Sequence, residues 1–160
     1  MKTSKSNILN LWQVIETLQG QKKNVIFSYF IAKNKIAIKG EVDALNEARK
    51  ASDPFVEFER ERVQIAQSMA DKIPGTDKPM IEGNQYVIKE NAGKFAEEME
   101  TLRNKFKDAI AEREIQMEAF NKILEDDVEL DSYKIKFTDL PENIEPSIIE
   151  VLLNCDIIEE

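Results

Sequence analysis

Five carboxylates within seven residues, Glu125, Asp126, Asp127, Glu129 and Asp131, make the stretch of this chain densest in oxygen ligands for a divalent cation. With Lys134 nearby, Asp127 and Asp131 loosely suggest the carboxylate and lysine set of a metal-dependent nuclease. The run lacks the glycine and the roughly 12-residue spacing of a calcium loop, so a solvated acidic junction after a helix is the simpler reading. A second candidate is basic: Lys22 and Lys23, followed by Lys33, Lys35 and Lys39, could hold a small anion, against the plainer reading of a solvated basic face. Trp12, Phe27, Tyr29 and Phe30 lie near these lysines and could stack a base, although aromatics at helical spacing more often form core. Cys155 sits in an apolar stretch without a neighbouring base, which fits a buried, inert thiol.

Several chemistries are excluded outright. The chain has no histidine and one cysteine, which removes Cys/His zinc sites, serine-histidine triads, cysteine-histidine nucleophiles and any disulfide within one chain. No G-x-x-x-x-G-K-S/T or G-x-G-x-x-G run is present to cradle phosphates. We therefore expect no cofactor and no enzyme; the work of the chain should lie in contact with other molecules.

What must position such contacts is one domain of 160 residues, 42% hydrophobic and 33% charged. Charge is polarised: +6 over residues 1–40, −5 over 41–124 and −10 over 125–160, for a total of −9. That distribution disfavours duplex nucleic acid, which needs a net cationic surface, and lets opposite ends attract within or between copies. No apolar run approaches the roughly 18 residues that cross a bilayer, and Glu16 interrupts the N-terminal apolar set. The expectation is a soluble intracellular protein that meets no membrane.

Helical spacing dominates. Ser6 or Asn7 can cap a helix with Ile8, Leu11, Trp12, Ile15 and Leu18 on one face, ending at Gly20. Val25 to Ile38 is apolar on more than one face, with a strand possible over 25–31. From Ala37 a stripe continues through Ala44, Ala48, Ala51, Phe55, Phe58, Ile65 and Met69. Ser52, Asp53 and Pro54 restart a helix inside it, which divides the region into roughly 25–51 and 54–71. Turn residues fill 72–90, where Tyr86-Val87-Ile88 could form a short strand. Residues 91–124 then read as one long helix, interrupted on its apolar face by Arg113, Glu114 and Gln116, as a solvated turn or a polar layer that fixes register. The fold class is thus mainly α. Residues 1–36 form N-terminal helices, 37–124 a long antiparallel, coiled-coil-like hairpin with its loop at 72–90, and 125–160 an acidic junction, a short strand and a terminal apolar helix.

In that last section Tyr133, Ile135 and Phe137 alternate with polar residues as a strand does. The strand needs a partner, which Tyr86–Ile88, Val25–Ile31 or another copy could supply. Pro146 opens a helix whose Ile148, Ile149, Leu152, Ile157 and Ile158 are too apolar for water. Tyr133, Ile135, Phe137, Ile148, Ile149 and Leu152 are therefore the candidate partner-binding set.

The blocks YFIAKNKIAIKGEVDALNEARKASDPF (29–55), EGNQYVIKE (82–90), REIQMEAFNKILEDDVEL (113–130) and YKIKFTDLPENIEP (133–146) resemble a family of small phage- and prophage-encoded helical proteins of unknown function. The resemblance covers nearly the whole chain, and the helix-strand-Leu-Pro ending is its most specific part. It implies a viral origin, with the host cytoplasm of an infected bacterium or the virion as location, and it supplies no catalytic residue. Two functions are expected from it together with the apolar tail. The first is a non-enzymatic, homo-oligomeric interaction protein in virion or tail assembly or a scaffold-like role. The second is an inhibitor of host defence or metabolism that captures a host protein or a signalling nucleotide.

Overall fold

A computed structural model describes residues 2–21 and 24–159. The protein is mainly helical, and none of its described helices is long and apolar enough to cross a membrane. In chain order the elements are β1 (Lys2–Ser4), α1 (Lys5–Gln19), α2 (Val25–Ala48), α3 (Asp53–Met69), β2 (Ile81–Glu82), β3 (Gln85–Tyr86), α4 (Ala92–Lys105), α5 (Lys107–Glu125), β4 (Asp127–Glu129), β5 (Ile135–Lys136), a 3-10 turn (Phe137–Asp139), α6 (Pro146–Asn154) and β6 (Ile158–Glu159). They form two compact units, a finer division than the single domain expected: residues 1–50 with 118–160, and residues 51–117.

In the first unit, α1 starts two or three residues earlier than the sequence suggests. Its cap is Ser4 rather than Ser6 or Asn7, and the Ser4 Oγ accepts the Asn7 N–H at 3.3 Å. The expected apolar face then turns inward, with Ile8, Leu11, Ile15 and Leu18 buried. Asn24 caps α2 by accepting the Phe27 N–H at 2.8 Å, so Val25–Ile31 is helix and not strand. The alanine stripe expected along α2 is displaced. Ala37, Ala44 and Ala48 are exposed, whereas Ile38, Val42 and Leu45 are buried. Burial scales with apolar area, and the branched neighbours remove more of it from water than alanine does. Consequently α2 packs on α1, and residues 37–48 leave the expected 37–124 hairpin, whose first arm is reduced to α3.

The tail closes this unit. β4 pairs antiparallel with β1, Thr3 facing Val128, a partner for the acidic junction that the sequence did not reveal. The strand expected across Tyr133–Phe137 shrinks to Ile135–Lys136, and the 3-10 turn takes Phe137 out of line. Its partner is none of those anticipated: β5 pairs in parallel with β6, Ile135 opposite Ile158, and α6 is the crossover between them. The end of α6 makes that possible. Asp156 turns left-handed at φ 46, its N–H reaches Leu153 O at 2.9 Å and the Ile157 N–H reaches Leu152 O at 3.0 Å. This is a Schellman stop with Ile157 and Leu152 as its buried apolar pair. It frees Ile158 to pair as strand.

The second unit is a hairpin of α3 and α4. Lys105 bonds Glu61 at 2.7 Å and Asn91 Nδ2 donates to Met69 O at 3.2 Å, so the helices run antiparallel. Phe58, Met99 and Leu102 are its buried centre, with Phe55, Ile65, Phe95 and Phe106 packed around them. The long 91–124 helix is broken at Phe106, whose backbone (φ −109, ψ 22) leaves the helical region between α4 and α5. Of the expected polar layer, Arg113 lies over the Phe55 ring at 5.7 Å and donates to Gln116 at 2.6 Å. Within the connecting loop, Ile73-Pro74-Gly75-Thr76 is a turn with Gly75 at φ 78, and Gly83 at φ 61 opens the two-residue turn joining β2 to β3.

Candidate interaction surface

α2 carries two apolar faces, as its sequence requires. One is the core face, Phe27, Phe30, Ile31, Ile38 and Val42, packed in one cluster with α1 and with Leu130, Ile135, Leu152 and Ile157 of the tail. The other points to solvent. Val25 is 84% exposed, Ile36 74%, Ile26 53% and Tyr29 49%, values far from those of a covered face. Val25, Tyr29, Ala32 and Ile36 follow one another at spacings of four, three and four, a continuous seam along one side of a helix.

Asn34 builds the edge of this surface. Fully buried, it donates from Nδ2 to Tyr133 O at 2.9 Å and to Phe30 O at 3.0 Å, and its Oδ1 accepts the Tyr133 N–H at 3.0 Å. The side-chain amide thus treats the Tyr133 backbone as a neighbouring strand would, in a segment with no strand partner. Tyr133 is held so that its ring meets Tyr29 edge to face at 5.1 Å. Nothing in the sequence separates Asn34 from an ordinary surface asparagine except its place between Ile31 and Ile38 on the buried face.

Beside the seam runs a groove between α1 and α2 of about 390 Å³, floored by Leu18, Phe27 and Ile31. Lys35 stands at its rim, but its charge is engaged. The ammonium meets Glu16 at 2.5 Å and Gln19 at 2.6 Å and lies over the Trp12 ring at 5.3 Å. Lys39 is paired with Asp43. Lys33 lies on another side of the helix, by the groove that Glu129 and Asp131 line. The expected anion site from Lys33, Lys35 and Lys39 is therefore not assembled, and Lys22 and Lys23 lie outside the described residues. The aromatics do not form a base-stacking platform either, since Phe27 and Phe30 are core.

The candidate partner residues of the tail separate in the same way. Ile135, Ile148 and Leu152 are buried in the unit's own core, with α6 packed on α1, so the apolar tail finds its cover within the chain. Tyr133 and Phe137 remain exposed and Ile149 partly so, the last two lining a hollow of about 260 Å³ with Leu140 and Ile144. Cys155 is buried, 3.8 Å from Asn7 O, and burial pushes its thiol up while the Thr3 side chain lowers it in part.

The acidic run starts at the end of α5, where Glu125 lies, passes through β4 with Asp127 and Glu129, and ends at Asp131 beyond it. Lys5 N donates to Asp126 O at 3.0 Å, and its ammonium lies 3.8 Å from the Asp126 carboxylate and 3.7 Å from Glu41. Lys134, the lysine of the nuclease reading, pairs instead with Asp156 at 2.9 Å. No group of three or more acidic or cysteine side chains among the described residues is placed to hold a metal ion. Comparison with protein-family models, with curated proteins and with solved structures gave no match to this chain.

Proposed function

We propose that the chain is a non-enzymatic bacteriophage protein that acts by binding other protein, in virion or tail assembly or a scaffold-like accessory role. The observation that carries this reading is the outward seam of α2. An apolar stripe left in water costs solubility, and such a contiguous patch marks an interaction surface. Capture of a host protein is the second reading, and it uses the same seam. Its nucleotide-binding form loses support because Lys35 and Lys39 are already engaged by Glu16 and Asp43.

The test is genetic and proteomic. With its gene replaced by one encoding Ile36→Lys, the phage should yield fewer infectious particles although the variant chain accumulates normally. Mass spectrometry should find the wild-type chain in purified particles or in assembly intermediates. Full yield from the variant would remove the seam from function. A chain absent from particles and intermediates, with early loss of infection in the variant, would replace assembly by host capture.

A further inference from the structure

Val25, Ile26, Tyr29, Ile36 and the adjoining Tyr133, from 40% to 84% exposed, leave on the order of 500 Å² open. That is near the limit for one apolar patch on a monomer and, with the rim around it, approaches the roughly 800 Å² per partner of a standard interface. Its residues also alternate in bulk. We propose that two copies pair through this face, α2 against α2 and antiparallel, with Val25 opposite Ile36 and Tyr29 opposite Ala32. The proposal rests on the reading of the chain as an interaction protein and names its first partner.

Size and charge select this arrangement. In the antiparallel register each large side chain faces a smaller one, Tyr29 over Ala32 twice and Val25 against Ile36 twice, so four layers close without a void. A parallel pair in register would set Tyr29 on Tyr29 and leave a gap at Ala32. Further along, the same side of the helix carries Asp43 and Glu47, both exposed. Each is paired with a lysine, Asp43 with Lys39 and Glu47 with Lys50, and parallel pairing would set these ion pairs level with their own copies, where they add no attraction. In the antiparallel register Asp43 lies level with a point before Val25, where the partner's α2 has not begun. Lys33 likewise faces the Ile26 side of the partner and not a second Lys33. The isologous two-fold pairing also closes on itself and leaves no open patch to propagate.

Light scattering of the full chain at micromolar concentration should give twice the 18.4 kDa of one copy, and Ile36→Lys and Val25→Lys should each give monomers with unchanged circular dichroism. Both positions are exposed, so neither change touches the core. Register is read by thiol cross-linking, for which the buried Cys155 does not compete. Val25→Cys mixed with Ile36→Cys should cross-link between copies, whereas Ile36→Cys alone should not, its two copies lying about 16 Å apart along the helices. A monomeric wild type, a dimer untouched by both lysine variants, or efficient cross-linking of Ile36→Cys to itself would each overturn the pairing. If the wild type is monomeric and Ile36→Lys still lowers phage yield, the self-pairing falls and the interaction reading stands. If the dimer is confirmed and Ile36→Lys leaves the yield whole, the interaction reading falls and the pairing stands.

Discussion

Asn34 shows how much one polar side chain can determine. Its amide satisfies both backbone groups of Tyr133, in a loop where neither has a strand partner, from the middle of an apolar helix face. Replacing it with leucine makes the helix face uniformly apolar but removes both bonds to the partly buried Tyr133 backbone, at a cost of about 2 kcal/mol for the two. Asn34→Leu should therefore lower the midpoint of urea unfolding, and the Tyr133 amide should lose its hydrogen-exchange protection. An unchanged midpoint would mean that water replaces the amide. The same residue marks the limit of sequence reading. A polar residue in an apolar run is legible as an interruption, but its bonds to a residue 99 positions away are not. Cys155 was easier, because an apolar neighbourhood without a base already describes a buried thiol.

At the scale of elements, helix signals were legible and strand partners were not. Capping residues and three-and-four spacing placed the helices from 25 and from 54 to within a few residues. Strands of two or three residues carry no alternation long enough to be read, and β1, β4 and β6 are all of that kind. Spacing alone cannot weigh area, so a stripe through the α2 alanines lies one residue off the buried face of Ile38 and Leu45. The 72–90 loop, by contrast, was legible through Pro74, Gly75 and Gly83, yet what fastens it was not. Asp71 does so: its carboxylate accepts the Lys89 and Glu90 N–H groups at 3.0 and 3.1 Å, and its backbone exchanges bonds with Met80 and Val87. Asp71→Ala should speed amide exchange at Lys89 and Glu90 by about tenfold, as expected from losing about 1.4 kcal/mol of local stability, and open the loop to proteases before the helices unfold. Equal exchange in the variant would show that the backbone bonds suffice.

For the whole molecule the consequence lies in connectivity. The chain leaves the first unit after Lys50 and returns at Glu118, so the α3–α4 hairpin is an insertion, and the first unit requires both ends of the chain to be present. Their hydrophobic clusters share no residue. The hydrophobic cluster of the inserted unit has three buried side chains with partly buried neighbours, and a core in a unit of this size supplies no more than about 3–5 kcal/mol. Two unfolding transitions should follow, the inserted unit melting first. Phe58→Ala, which removes the largest buried side chain of its cluster at a cost of about 3 kcal/mol, should move only the earlier transition. Leu11→Ala, which empties a fully buried position between α1 and the rest of its core, should move only the later one. Cys155 supplies an independent clock. Buried and held protonated at neutral pH in the folded unit, its thiol should react with an alkylating reagent only as the later transition proceeds. A single transition displaced equally by both substitutions, with thiol reactivity rising alongside it, would show instead that the two cores form and fail together.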